Sequence, residues 1–286
     1  MKKKVGILHP GEMGSSVAAS ARNSGCNVYW TSEGRSGKTR ERAEKHALME
    51  LPSLAELCQT CSVIVSVCPP HAAEEVAKGV LETSFQGVYL DANAISPQRV
   101  IRIGEMFQGS GVAFVDGGII GPPAWKAGAT WLYLAGGEGE RVAECFSAGP
   151  LGTEVIGERT GKASALKMCY AAYTKGTTAL LGAILGAAEG LGVRDELNRQ
   201  WSRDGSDFPE QAKQRVRQST GKAWRFIGEM EEIASTFREA GMPGGFHGAA
   251  ADIYRLLAHF KGAAALPSIE EVLAALLRKD RKEKPD

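Results

Sequence analysis

The residues arranged for chemistry stand at the front of the chain. Val5 to Gly14 reads V-G-I-L-H-P-G-E-M-G. An apolar run feeding a glycine turn and then a helix aims backbone N–H groups and the positive end of the helix dipole at one point, a place for phosphate. The spacing is that of the dinucleotide fingerprint G-x-G-x-x-G, with His9 where the first glycine belongs and Gly11 and Gly14 in the other two places. Gly11 lets the backbone approach a pyrophosphate, and Gly14 lets helix and strand pack closely. His9, Pro10, Gly11, Glu12, Met13 and Gly14 are therefore the expected cofactor-binding loop. Incidental glycines in a plain strand-turn-helix are the rival account, and the β-α-β context favours the phosphate loop.

A second cluster follows the next strand. Thr31-Ser32-Glu33-Gly34-Arg35-Ser36 lies where a dinucleotide's adenosine ribose belongs. An acidic residue there holds the 2′-hydroxyl of NAD, and an arginine accommodates the 2′-phosphate of NADP. Ser32, Arg35 and Ser36, with Arg40 nearby, favour NADP over NAD on charge. Glu33 is the counter-indication, and a solvated basic loop is the alternative. Six cysteines are present. Cys58-x2-Cys61 followed by Cys68-x2-His71 has the letters of a zinc knuckle, but V-I-V-S-V between Cys61 and Cys68 reads as a strand that holds them roughly 20 Å apart. No metal is expected, and the cysteines read as buried thiols of a reducing compartment.

The elements that position these residues alternate. Strands are read at Lys4–Leu8, Asn27–Trp30, Ser62–Val67, Gly87–Leu90, Val112–Val115 and Thr130–Leu134. Helices are read at Glu12–Ser24, Thr39–His46, Ser53–Cys58, Ala72–Val80, Pro97–Phe107 and Arg141–Phe146. Repeated β-α-β with short links predicts an α/β fold, a Rossmann-type doubly wound parallel sheet with its ligand at the strand C-termini. The pattern changes near Gly157. Lys162 to Leu191 has no proline and reads as one helix of roughly 45 Å, with Gly176, Gly182 and Gly186 marking a face against which another helix packs. Helical patterns continue over Glu196–Arg203, Pro209–Gln218, Ala223–Ala240, Phe246–Phe260 and Ile269–Lys279. Residues 1–157 are thus expected to form the NAD(P)-binding domain and 158–286 an all-helical domain, ending in a charged tail, 278–286, that frays.

At 286 residues the chain is long enough for two cores, and a formal net charge of +1 gives no electrostatic case for nucleic acid or a membrane surface. The apolar run Val5–Leu8 is too short for a secretory signal, and no stretch is long enough to span a membrane. A cytoplasmic location is expected.

Further stretches carry a resemblance to a family. G-x-x-x-x-G-x-M-G at Gly6–Gly14, Val65-Ser66-Val67-Cys68-Pro69-Pro70, Asp91-Ala92-Asn93-Ala94-Ile95-Ser96-Pro97, Asp116-Gly117-Gly118-Ile119-Ile120-Gly121-Pro122 and Gly161 to Lys167 occur in that order. They resemble the β-hydroxyacid dehydrogenases, which include 3-hydroxyisobutyrate and 6-phosphogluconate dehydrogenases, and more narrowly a branch with a distinct C-terminal domain. The resemblance implies that Cys68, Pro69 and Pro70 skirt the cofactor and that Asn93 lies near the nicotinamide and substrate. It further implies that Ile120, Gly121 and Pro122 form the substrate loop, that Lys167 is the catalytic lysine, and that the chain is a homodimer. A lysine desolvated beside a cofactor exchanges a proton with a substrate hydroxyl or carbonyl. Lys175 is the alternate.

The chain also departs from that pattern. The family's loop serine is Ile120, its last loop glycine is Pro122, its helix asparagine is Ala171, and its Lys-Asp pair is Glu231-Glu232. Tyr170, and Tyr173 beyond it, are candidate replacement donors toward substrate. Glu231, Glu232 and His247 are weaker candidates from the second domain, and His71 is a helix-start residue. The expected activity is hydride transfer between a nicotinamide cofactor and a small hydroxy acid or its oxo form. Reduction of a C=N bond and a non-catalytic cofactor-binding scaffold are the alternatives.

Overall fold

The computed structural model describes residues 2–278. Beyond Arg278, the expected fraying of the tail concerns residues outside the described ones. Two compact units divide the chain, Met1–Met168 and Cys169–Asp286.

The first unit runs β1 (Lys4–Ile7), α1 (Glu12–Asn23), β2 (Asn27–Thr31), α2 (Gly37–Lys45), β3 (Met49–Leu51), α3 (Leu54–Thr60), β4 (Val63–Ser66), α4 (Ala73–Leu81), β5 (Val88–Asp91), α5 (Pro97–Met106), β6 (Ala113–Ile120), β7 (Thr130–Ala135), α6 (Gly139–Ala143), β8 (Leu151–Gly157) and α7 (Lys162–Ala171) as far as Met168. One sheet has the order β3-β2-β1-β4-β5-β6-β7-β8. Its first six strands are parallel and follow the doubly wound order. β4 (V-I-V-S) and β5 (V-Y-L-D) are buried at every position, as strands covered on both faces must be. Val5, Ile7, Val65 and Leu90 pack in one apolar layer, Leu57, Ile64, Tyr89 and Ile103 in the other.

Three details differ from the sequence reading. β6 does not stop at Val115 but continues to Ile120, because β7 turns back and pairs with it antiparallel from Asp116↔Ala135 to Ile120↔Trp131. β3 was not expected, being only the three residues M-E-L beside β2. β8 was not expected either: its glycines mask a strand that forms the far edge of the sheet, parallel to β7.

The second unit is helical, with α8 (Thr177–Gly190), α9 (Arg194–Trp201), α10 (Phe208–Ser219), α11 (Ala223–Glu239), α12 (Gly245–Leu257) and α13 (Ile269–Leu276). The single helix expected over Lys162–Leu191 is interrupted by a π turn at Ala172–Gly176. Such a turn misaligns backbone carbonyls. Here the Tyr254 hydroxyl donates to the Lys175 carbonyl at 2.8 Å, and the Arg215 guanidinium donates to that of Thr174 at 2.8 Å. The glycine face behaves as expected. A Cβ at Gly182 would lie 3.5 Å from Ile253, and one at Gly186 would lie 3.3 Å from Leu276. Among the described residues no helix is long and apolar enough to cross a membrane.

Candidate cofactor and active site

The glycine loop lies at the C-terminal end of β1. Gly14 is obligatory, since a Cβ there would stand 2.1 Å from the His9 carbonyl oxygen. Gly11 has no atom within 4 Å of its Cβ position, so the turn is open on that side. The loop is fixed from within: the Gly11 N–H donates to the His9 carbonyl at 2.8 Å, and the Ser15 and Ser16 hydroxyls donate to the Pro10 and Met13 carbonyls at 3.1 and 2.8 Å. Among the described residues no side-chain hydrogen bond is made by the N-cap of α1, Gly11, and Glu12 is exposed in its first turn.

His9, in this loop, feels the charge of Arg35 from the segment after β2. Burial, reinforced by the Arg35 charge, pushes the His9 imidazole down to about 4, so it is neutral at neutral pH. Burial also lowers Arg35, while Cys68 and Glu33 oppose that shift. His9 Nδ1 and Arg35 Nε are buried and have no hydrogen-bond partner among the described residues. Buried polar atoms without partners are rare in finished interiors. Together with the open side of Gly11, they fit a loop shaped for a phosphorylated ligand. The neighbouring charges have other partners. Arg40 grips Glu50 at 2.8 and 3.0 Å, and the Ser32 hydroxyl also bonds Glu50. Ser36 lies 3.1 Å from the Thr39 hydroxyl. Glu33 accepts the Leu54 N–H at 3.3 Å, at the start of α3.

At the ends of β4 and β5 the polar groups bond one another. The Asn93 carboxamide oxygen accepts the Cys68 N–H at 2.6 Å, and its nitrogen donates to the Ser66 hydroxyl at 3.1 Å. Asn93 is 1% exposed, so it staples the loop after β5 to the loop after β4. Pro69 is exposed, and Pro70 opens a single 3-10 turn, Pro70–Ala72. The burial of Cys68 pushes its thiol up to about 12, which makes it inert.

Asp116 carries the main structural burden. One of its oxygens accepts the N–H groups of Gly161, Ala163 and Ser164 at 2.9, 2.9 and 3.1 Å, and the other accepts the Ser164 hydroxyl at 2.6 Å. A carboxylate from β6 thus caps α7 from outside the helix, satisfying its orphan amides and its dipole. Gly118 completes the docking. A Cβ there would lie 2.5 Å from the Ala163 carbonyl oxygen and 3.3 Å from the Lys167 Cβ. Lys167, half-buried, is therefore held against the part of β6 that continues beyond the parallel strands.

The expected substrate loop follows the end of β6. Ile120 ends β6 paired to Trp131. Gly121 has φ +129°, and a Cβ there would lie 2.4 Å from the Ala129 carbonyl oxygen. The Thr130 hydroxyl donates to the Pro122 carbonyl at 2.6 Å, and the Ala124 N–H donates to the Ser16 hydroxyl at 2.8 Å. Pro122 thus leads into a hairpin turn pinned to α1. Tyr170, one turn beyond Lys167 on α7, is half-exposed, and Ala171 is buried.

In the second unit Lys175 forms an ion pair with Glu229 at 2.9 Å and lies over the Phe226 ring. Glu231 pairs with Arg255, and His247 is buried between Phe237 and Phe246. Cys58 and Cys61 lie in an apolar layer. Among the described residues no three His, Cys, Asp or Glu gather to hold a metal. Sequence reasoning did not single out Asp91, Asp116 or Ser164. The available signal was an aspartate closing each of two adjacent strand patterns.

Residues 4–148 match the NAD binding domain of 6-phosphogluconate dehydrogenase. Residues 188–257 match a domain of unknown function, DUF1932. A conserved protein of unknown function, described as structurally similar to 3-hydroxyacid dehydrogenases, is 31% identical with TM-score 0.68, over 89% of this chain and 96% of that one. The 3-hydroxyisobutyrate dehydrogenase of Mycobacterium tuberculosis superimposes with TM-score 0.69 at 16% identity, over 97% and 100%. The NADPH-bound reductive aminase of Aspergillus terreus superimposes with TM-score 0.56 at 13% identity, over 96% and 99%. The last two show the fold alone. The chain belongs to the β-hydroxyacid dehydrogenase-like family and is an NAD(P)-dependent dehydrogenase or reductase.

Proposed function

We propose that this protein uses NADP to interconvert a small hydroxy acid and its oxo form, with Lys167 as proton donor and acceptor. The observation that carries the reading is the seating of α7. Asp116 and Gly118 hold Lys167 at the end of β6, on the ligand-binding edge of the sheet. When bound, the nicotinamide supplies or accepts the hydride. The chain's own part is then to bind phosphates on residues His9–Gly14, to place Asn93 and the Cys68–Pro70 loop beside the cofactor, and to move one proton at Lys167 Nζ. Asn93 acts there by shaping the loop, since its carboxamide is bonded to Cys68 and Ser66.

NADP is favoured over NAD because Glu33 is bonded to α3 and Arg35 Nε has no protein partner among the described residues. We further infer a nucleotide-binding domain of residues 1–157 and a substrate and dimerisation domain of 158–286, in a cytoplasmic homodimer. Fluorescence titration tests the cofactor: NADPH is expected to bind at least about tenfold tighter than NADH, the worth of one charge-assisted contact. Binding of neither sinks the reading.

Imine reduction is the second reading. Ile120 and Ala171 remove two polar groups that would hold a carboxylate. A panel of oxo acids and cyclic imines separates the two, since turnover confined to imines overturns the first.

A further inference from the structure

Where β4 and β5 end, the register places Ser66 opposite Asp91 and Asp91 opposite Asp116 of β6. Register partners share a sheet face, so two carboxylates stand side by side in one row. Both are buried, at 1% and 0% exposure. Their wiring differs. Asp116 accepts four hydrogen bonds. Asp91 accepts the Asn93 N–H on one oxygen at 3.0 Å, and its other oxygen is buried without a hydrogen-bond partner among the described residues. Adjacent carboxylates oppose each other's ionisation. Burial raises both carboxyls, but four hydrogen bonds to Asp116 oppose the rise there, so Asp91 is the member of the pair that more readily retains a proton.

The groups interacting with Asp91 are few. Tyr89, on the same face, has its phenol pushed well up by burial. Cys68 has its thiol pushed up to about 12, again by burial. Neither changes charge near neutrality. That leaves Asp116 and Lys167: a Cβ at Gly118, two residues beyond Asp116 on the same face of β6, would lie 3.3 Å from the Lys167 Cβ, and the positive charge of Lys167 favours ionised Asp91. Burial holds Asp91 at about 7; the Asn93 N–H opposes that shift, Asp116 adds to it, and Lys167 opposes it more weakly.

Resting on the proposed role of Lys167, we propose that Asp91 is a positioning residue for charge: buried beside Asp116, it holds Lys167 as the ammonium that gives a proton to an oxo substrate. No bond forms between the two groups. Loss of the Asp91 proton to solvent leaves an anion that raises the proton affinity of Lys167, and regaining it lowers that affinity again. The two groups therefore titrate as a coupled unit. Such an arrangement favours the acid form of Lys167 above neutral pH, where an isolated buried lysine loses its proton most readily.

Titration of Lys167 by NMR in cofactor-free protein labelled at lysine tests this without activity. In Asp91→Asn the Lys167 midpoint is expected to fall by about one pH unit, a tenfold loss of proton affinity, as for loss of a nearby opposite charge. A midpoint unchanged within about 0.3 unit overturns the proposal. Should Asp91→Asn fail to fold, Lys167→Met gives the reciprocal measurement, because coupling between two sites is equal in both directions. The Asp91 carboxyl must then titrate about one unit higher, and an unmoved carboxyl overturns the proposal. Failure of the functional reading looks different: Lys167→Ala would keep its turnover, while Asp91→Asn, which retains Lys167, would still lower the Lys167 midpoint.

Discussion

The glycine loop and the seat of α7 on β6 are built on opposite plans. Around His9 and Arg35 polar atoms are buried without partners and Gly11 faces open space. Both oxygens of Asp116 are bonded to the start of α7, and Gly118 is filled against α7 to the limit of contact. Incomplete bonding suits a surface that a ligand completes. Complete bonding suits a support that must hold one side chain in one place. The proposed function gives binding to the first region and proton chemistry to the second, and this division can be broken by substitutions that damage one and spare the other.

The largest effect is expected from Gly118→Ala. The new Cβ would lie 2.5 Å from the Ala163 carbonyl oxygen, so α7 must move. A displacement on the order of 1 Å costs about 100-fold in turnover, while NADPH binding stays within about twofold. Steady-state rates and a fluorescence titration check both halves. Asp116→Ala removes the acceptor of three amides and one hydroxyl. The loss, reduced by relief of a buried charge, is about 3 kcal/mol, seen by denaturant unfolding. Arg35→Ala is expected to weaken NADPH about tenfold and NADH far less, since one charge-assisted contact is lost.

The smallest effect is a pH dependence of stability. His9 titrates at about 4 in the folded chain against 6.5 ordinarily. Its contribution is complete above about 6.5 and is lost as pH falls toward 4, because only the unfolded chain binds the proton in that window. His9→Asn should flatten the stability profile between those values, and an unchanged profile would mean that the imidazole is not held neutral by the fold.

The two regions were not equally legible in the sequence. The glycine loop, β1, α1 and the doubly wound order were readable, because Gly11, Gly14 and an unbroken apolar strand leave few alternatives. The all-helical second unit was readable from its periodicity. The π turn was not, since it depends on Tyr254 and Arg215, residues far away in sequence. The extension of β6 was hidden because it exists only through β7. Asp116 was visible only as part of a motif. Its work as a cap on α7 spans 45 to 48 residues of sequence, and no local pattern carries that. The bonds that tie Pro122–Ala124 to Thr130 and Ser16 are a tertiary arrangement that spacing alone does not encode.

The division of labour is tested most directly by measuring NADPH affinity and turnover in parallel for Lys167→Ala and Arg35→Ala, with the best substrate from the panel. Lys167→Ala is predicted to lose turnover by at least about 100-fold, the worth of a proton-transferring group, with NADPH affinity within about twofold. Arg35→Ala is predicted to lose affinity and keep turnover at saturating NADPH. Turnover surviving unchanged in Lys167→Ala would contradict the account.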